Sequence, residues 1–184
     1  MPELGEFLEP MPVQFTQAPS AETLRQSLTG LLSEHPKKNS EALPEVVPET
    51  TQQQFNHLLT ERVWDEKALN RQRLAGMLEL PSEGDGVLLF DDGGFEKKGN
   101  NSVGVARQYT GTVGKVTHCP VAVTCVYADP TVAWPVATRL YLPREWTDNP
   151  ARCAKTHVPP EITFQTKAEI ALDLLDEADA CGIN

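Results

Sequence analysis

No apolar run in this chain approaches the roughly 20 residues that cross a bilayer, and no secretory leader pattern opens it. Both absences point to a cytoplasmic chain with reduced thiols and no membrane partner. Cysteine is scarce: Cys119, Cys125, Cys153 and Cys181 show no Cys-x-x-Cys spacing, and His35, His57, His118 and His157 are scattered. That argues against a zinc site built on the usual ligand pairs. Positive charge is the third shortage. Sixteen Lys and Arg face 26 Asp and Glu, a formal net charge of −10, the wrong sign for a chain that grips nucleic acid over its whole surface. The deficit is uneven: residues 1–86 carry −7, residues 128–184 carry −4 and residues 87–127 carry +1. Only the middle segment is free of negative excess, which is the least a phosphate-binding surface requires.

What is present suffices for a modest core, as one domain or two small ones: 40% of the 184 residues are hydrophobic. Residues 1–19, with Pro2, Pro10, Pro12 and Pro19 and little periodicity, read as a flexible leader. Ser20 then offers an N-cap, and Leu24, Leu28, Leu31 and Leu32 form one apolar helix face that must stop before Pro36. Pro44 and Pro48 leave room only for a turn or short helix. Thr51 and Gln54 have capping-box form ahead of Phe55, Leu58 and Leu59, and Asp65 caps a last helix through Leu69, Leu74, Met77 and Leu78. The spacing predicts a helical bundle over residues 20–82. Its cations, Lys37, Lys38, Arg62, Arg71 and Arg73, are outnumbered by acids.

From residue 83 the pattern changes to strands. Val87–Phe90, Val103–Tyr109, Pro120–Ala128 and a stretch near Val132–Leu142 are rich in β-branched and aromatic residues, and short links between the first three predict antiparallel pairing. Thr166 and Glu169 again have capping-box form, Ile170, Leu174, Leu175 and Ala178 follow at helical spacing, and Gly182 supplies a stop. The fold class is α+β.

The chemistry concentrates where Val87-Leu88-Leu89-Phe90, read as a short buried strand, delivers Asp91 and Asp92 to the turn Gly93-Gly94-Phe95-Glu96-Lys97-Lys98-Gly99. A carboxylate at a strand end beside solvent is where a hard divalent cation can be held, its shell completed by water and phosphate, and Lys97 and Lys98 favour an anion nearby. A phosphate-cradling P-loop is excluded because Asn100 and Asn101 follow Gly99 where Lys and Ser or Thr are required. An aspartyl-phosphate phosphatase is excluded because Gly93 stands where a second acid is needed. The remaining alternative is a strand-to-turn junction in which the two aspartates only favour turn geometry.

The run from Lys97 to Lys115, Lys-Lys-Gly-Asn-Asn-Ser-Val-Gly-Val-Ala-Arg-Gln-Tyr-Thr-Gly-Thr-Val-Gly-Lys, closely resembles a stretch in the DDE-superfamily transposases of bacterial insertion sequences. Further matches follow in order: Leu140-Tyr141-Leu142-Pro143, Trp146-Thr147-Asp148, Pro150-Ala151-Arg152-Cys153, Val158-Pro159 and Phe164-Gln165-Thr166-Lys167. The resemblance covers roughly residues 20–184. It implies end-binding helices over 20–82, as a helix-turn-helix-like module, with a packing domain that touches no DNA as the alternative. For residues 83–184 it implies the first half of an RNase H-like catalytic fold, truncated before its second catalytic strand.

The resemblance also implies Mg²⁺ as cofactor, DNA at transposon ends as partner, and metal-dependent phosphodiester cleavage with strand transfer. Asp91 takes the role of first acid and metal ligand, with Asp92 second, and Lys97, Lys98, Arg107 and Lys115 become DNA contacts. Gly93 departs from the family's threonine. The second aspartate and the glutamate have no counterpart here, since Asp173, Asp176, Glu177 and Asp179 belong to the preceding helix. The chain therefore reads as the N-terminal part of a transposase, truncated or frameshifted and inactive alone. Other readings are a non-catalytic fragment that binds DNA, forms homo-oligomers or inhibits the full-length transposase, and a pseudogene product without a role.

Overall fold

A computed structural model describes residues 2–8, 18–61, 65–82 and 84–183. The chain divides into two compact units, Met1–Glu79 and Leu80–Asn184.

The first unit is helical: α1 (Pro2–Leu8), α2 (Ala18–Leu32), a 3-10 turn at Leu43–Glu45, α3 (Gln52–Thr60) and α4 (Glu66–Leu78). The expected flexible leader thus contains a helix. Its apolar pair explains why, because Leu8 is buried and Phe7 lies against α4 where Gly76 leaves room for the ring. Residues 9–17 of that leader, and Arg62 among the bundle's cations, lie outside the described residues. α2 starts two residues before Ser20, which therefore sits in the first turn and not at the cap. The predicted apolar face of α2 is also rotated: Leu31 and Leu32 are exposed, and Gly30 is buried instead. A Cβ at Gly30 would lie 2.8 Å from Leu43 Cδ2, so the missing side chain lets Leu43 and Val47 pack directly on the helix backbone.

α3 and α4 begin as their sequences dictate. Thr51 and Gln54 form a full capping box, and the Asp65 side chain accepts from the Ala68 N–H. Each such cap contributes about 1 kcal/mol. Phe55, Leu58 and Leu74 carry the buried side, each stabilising by roughly 1.5–3 kcal/mol on leaving water.

In the second unit a three-stranded antiparallel sheet has β4 (Val121–Ala128) at its centre, flanked by β1 (Val87–Gly94) and β5 (Ala133–Tyr141). A separate ribbon, β2 (Ala106–Thr110) with β3 (Lys115–Cys119), is inserted between β1 and β4. Two short helices, α5 (Arg144–Thr147) and α6 (Pro150–Lys155), precede α7 (Lys167–Ala180), which packs on β4 and β5. β4 alternates strictly: Val121, Val123, Cys125 and Tyr127 are buried and the residues between them are not. From α7, Ile170, Leu174 and Ala178 are buried. Gly182, at φ +79°, ends that helix: its N–H donates to Asp179 O and the N–H of buried Ile183 donates to Ala178 O, a Schellman motif.

Three strand expectations are corrected. β1 is not a buried strand: Val87 is 56% and Leu89 53% exposed, because the strand pairs on one side only, with β4, and the α7 helix lies over β4 and β5. β2 starts at Ala106 and not at Val103, since Gly104 at φ +76° closes a turn in which the Val105 N–H donates to Ser102 O. The second strand in sequence pairs with β3, which polar Lys115, Thr117 and His118 concealed, and not with β1.

Adjacent glycines at the end of β1 differ sharply. A Cβ at Gly94 would lie 2.8 Å from the backbone oxygen of Pro120, whereas one at Gly93 meets nothing closer than Thr112 Oγ1 at 3.8 Å. Gly94→Ala is expected to lower stability by about 1–3 kcal/mol by overpacking. Gly93→Ala should be neutral or stabilising by up to roughly 1 kcal/mol. Urea midpoints of the two variants check the order.

Candidate active site

β1 carries its two acids past the middle of the sheet, opposite Thr124 and Val123 of β4. Strand periodicity sends neighbouring side chains to opposite faces, and the partners differ accordingly. Asp91 is exposed and its Oδ1 accepts from the Asp92 N–H at 2.8 Å. Asp92 shares a face with buried Val123 and Cys125, and its Oδ2 accepts from Lys167 Nζ at 2.9 Å. Both side chains of that pair are 35% exposed. Lys167 is the first residue of α7, set by the Thr166–Glu169 capping box, and its ammonium lies 5.6 Å from the centre of the Tyr141 ring. Burial pushes the Cys119 thiol up, with the charge of Lys167 opposing the shift, and burial alone pushes up Cys125. Neither thiol is primed as a nucleophile.

Beyond the acids, Gly94 passes beneath the ribbon. Its N–H donates to Thr112 Oγ1 at 3.4 Å, and its carbonyl accepts from the fully buried Thr110 hydroxyl at 3.2 Å. The Lys97 N–H donates to His118 O at 2.8 Å, which lays the lysine-bearing loop along β3. The loop's far end is clamped from α5 and α6. Trp146, fully buried, donates its indole N–H to Val105 O at 2.8 Å. Arg152 stacks 3.6 Å from the centre of the Trp146 ring and donates to Asn100 O at 2.9 Å and Val105 O at 3.3 Å.

Of the four expected DNA contacts, Lys97, Lys98 and Arg107 are exposed and make no side-chain ion pair or hydrogen bond among the described residues. Lys115 is engaged by Glu96 at 3.0 Å. The Glu96 carboxyl is held below its usual range first by that lysine and then by the Thr117 hydroxyl. Arg107 stands opposite His118, and Tyr109 opposite Val116, on an exposed face of the ribbon. Two acids of α7 are committed elsewhere: Arg139 of β5 pairs with Asp173 at 3.1 Å and with Glu177.

A two-metal centre needs several carboxylates converging on one space. Among the described residues no three His, Cys, Asp or Glu side chains do so, and Asp91 and Asp92 diverge. The residues present fit one carboxylate ligand on each face, not that centre. Sequence reasoning gave no role to Lys167, Trp146 or Arg152, although all three lie in the quoted motifs. A signal did exist for Lys167: a cation in the first turn of a helix opposes the macrodipole, so its presence there called for an anionic partner.

Residues 10–184 match the family described as DDE superfamily endonuclease. The chain is 28% identical over 168 residues to a probable transposase for insertion sequence element IS701 from Microchaete diplosiphon, a match covering 91% of this chain and 41% of that protein. It thus spans about two-fifths of the length of the relative it matches. No solved structure matches.

The clamp on the lysine-bearing loop is testable alone. Arg152→Ala removes two hydrogen bonds, the stacking contact and an ion pair with Glu145 at 3.6 Å, and is expected to cost roughly 1–2 kcal/mol. It should also speed amide exchange at residues 99–106 more than in β4. Uniform acceleration across the sheet would show that Arg152 supports the whole unit instead of the loop.

Proposed function

This chain belongs to the DDE superfamily of endonucleases, and from that premise we propose that it supplies the first acid and the phosphate-facing ribbon of a DNA transposase. The observation that carries the proposal is the pairing of a carboxylate inside β1, which continues through Gly93 and Gly94 where the sequence suggested a turn, with an anchored loop and ribbon bearing unpaired cations. Asp92 lies on the face that α7 helps to cover, and Lys97, Lys98 and Arg107 stand exposed beyond it. The order β1, β4, β5, α7, with each strand antiparallel to the last, supports an RNase H-like reading. The IS701 relative supports transposition as the reaction.

Between the two acids, the geometry favours Asp92 over Asp91, the reverse of the sequence-based assignment. Asp92 is half-buried beside a cation on the covered face, and Asp91 turns to open solvent with one oxygen on a neighbouring N–H. The carboxylates that would complete a Mg²⁺ centre are proposed to lie in the part of the relative outside the match. A cleavage step is not within reach of the described residues alone. DNA contact in this proposal falls to the ribbon, because the helical unit is strongly acidic and only the segment 87–127 carries net positive charge.

A second reading, in which the chain acts as a non-catalytic DNA- or transposase-binding fragment, draws on the divergence of Asp91 and Asp92 to opposite faces of β1. In a fusion of this chain to the remaining portion of the IS701-type relative, Asp92→Asn is expected to abolish strand cleavage while leaving end binding largely intact. Asp91→Asn should reduce cleavage by less than about tenfold, since it removes no group from the reacting face. Gel-based nicking and mobility-shift assays read the two effects. The reverse order would return the role to Asp91, and equal loss from both would mean that the two acids share one site. Metal-dependent nicking by the unfused chain would overturn the division of acids.

A further inference from the structure

We propose that Lys167 is the resident cation of this site, and that its ammonium excludes a divalent ion from the Asp92 carboxylate. The inference rests on the reading that Asp92, not Asp91, is the acid at which such an ion would bind.

Three observations carry it. First, Lys167 sits where helix electrostatics disfavour it. The unpaired N–H groups of the first turn of α7 carry partial positive charge, and the nearest carboxylate in sequence, Glu169, is taken by the N–H and hydroxyl of Thr166. Asp92, 75 residues away in sequence, provides the compensating charge at 2.9 Å. Second, the ammonium has two neighbours from the sheet: one Asp92 oxygen meets Nζ, and the centre of the Tyr141 ring of β5 lies 5.6 Å from it. Third, the pair is half-screened, at 35% exposure for each side chain, so an ion can reach it but the two charges are not fully solvated apart.

The chemistry then sets an exclusion. A single carboxylate paired with an ammonium is already neutralised, and a divalent ion on the same group would stand within a few ångströms of that ammonium. Repulsion between the two cations opposes their sharing one anion. Mg²⁺ also demands a regular oxygen shell and gives up water reluctantly, so one neutralised carboxylate holds it poorly. Lysine is suited to such a post because its flexible stem lets the ammonium swing to another anion. The mismatch between this donor set and a two-metal centre thus has a local component: the acid best placed for a metal carries its own counter-ion.

The test is Mn²⁺ binding to the 184-residue chain at constant ionic strength, read from the electron paramagnetic resonance signal of the free ion. Lys167→Gln is expected to tighten Mn²⁺ binding by roughly tenfold or more. Lys167→Arg should stay within about threefold of the unsubstituted chain, because its charge is kept. The gain should vanish when Asp92→Asn is added to Lys167→Gln. No gain in Lys167→Gln overturns the exclusion by Lys167 itself. A gain that survives Asp92→Asn but is lost with Asp91→Asn overturns the underlying choice of acid instead. Should Lys167→Gln fail to fold, as judged by circular dichroism, the unsubstituted chain decides. Mg²⁺ must not shift the Asp92 side-chain carboxylate ¹³C resonance while the ¹⁵N resonance of the Lys167 ammonium stays where NaCl at matched ionic strength leaves it, and a carboxylate shift with an unmoved ammonium overturns the proposal.

Discussion

Both outer strands of the main sheet hang on β4. Val87 to Gly94 and Ala133 to Tyr141 find their backbone partners in the same eight residues, Val121 to Ala128. The alternating burial of Val121, Val123, Cys125 and Tyr127 gives α7 the apolar surface on which it packs. The position of both acids follows from this constraint. Asp92 faces Lys167 because it lies opposite Val123, on the side that β4 buries, and Asp91 turns away because it lies opposite Thr124. A shift of one residue in that pairing would exchange the two.

Features set by neighbouring residues were the ones legible in the sequence. The capping boxes at Thr51 and Thr166, the cap at Asp65 and the stop at Gly182 rest on hydrogen bonds spanning a few residues, and each forms as its spacing indicates. The run Val87–Phe90 was equally legible as a strand, but not its half-exposure, which depends on which neighbours arrive from elsewhere in the chain. β3 escaped notice because Lys115, Thr117 and His118 lack the apolar alternation of a buried strand, and a solvent-facing ribbon does not need it. Lys167 was read only as part of a motif, since its partner lies on a strand 75 residues earlier.

The quoted motifs acquire physical meaning through their contacts. Trp146 and Arg152 converge on the carbonyl of Val105, and Arg152 also reaches Asn100, so two short helices late in the chain hold the loop that follows Lys97 and Lys98. Gly104 completes the arrangement: at φ +76° a Cβ there would come within 3.2 Å of Tyr141 O, so the turn and its close approach to the end of β5 both require glycine. Long-range clamps of this kind let polar, glycine-rich segments such as Gly99–Gly104 keep one conformation without a core of their own.

The insertion of the ribbon between β1 and β4 also fixes the order in which the sheet can assemble. β4 and β5 are joined by a tight link in which the Asp129 carboxylate accepts from the Thr131 and Val132 N–H groups, so that hairpin closes over a few residues. β1 leaves the ribosome before any of its partners exist, and the residues that pair with it begin only at Val121. Closing that longer loop is entropically slower than closing the hairpin. Until then Val87, Leu88, Leu89 and Phe90 form an unpaired apolar segment, the kind of stretch through which nascent chains associate with one another or with chaperones.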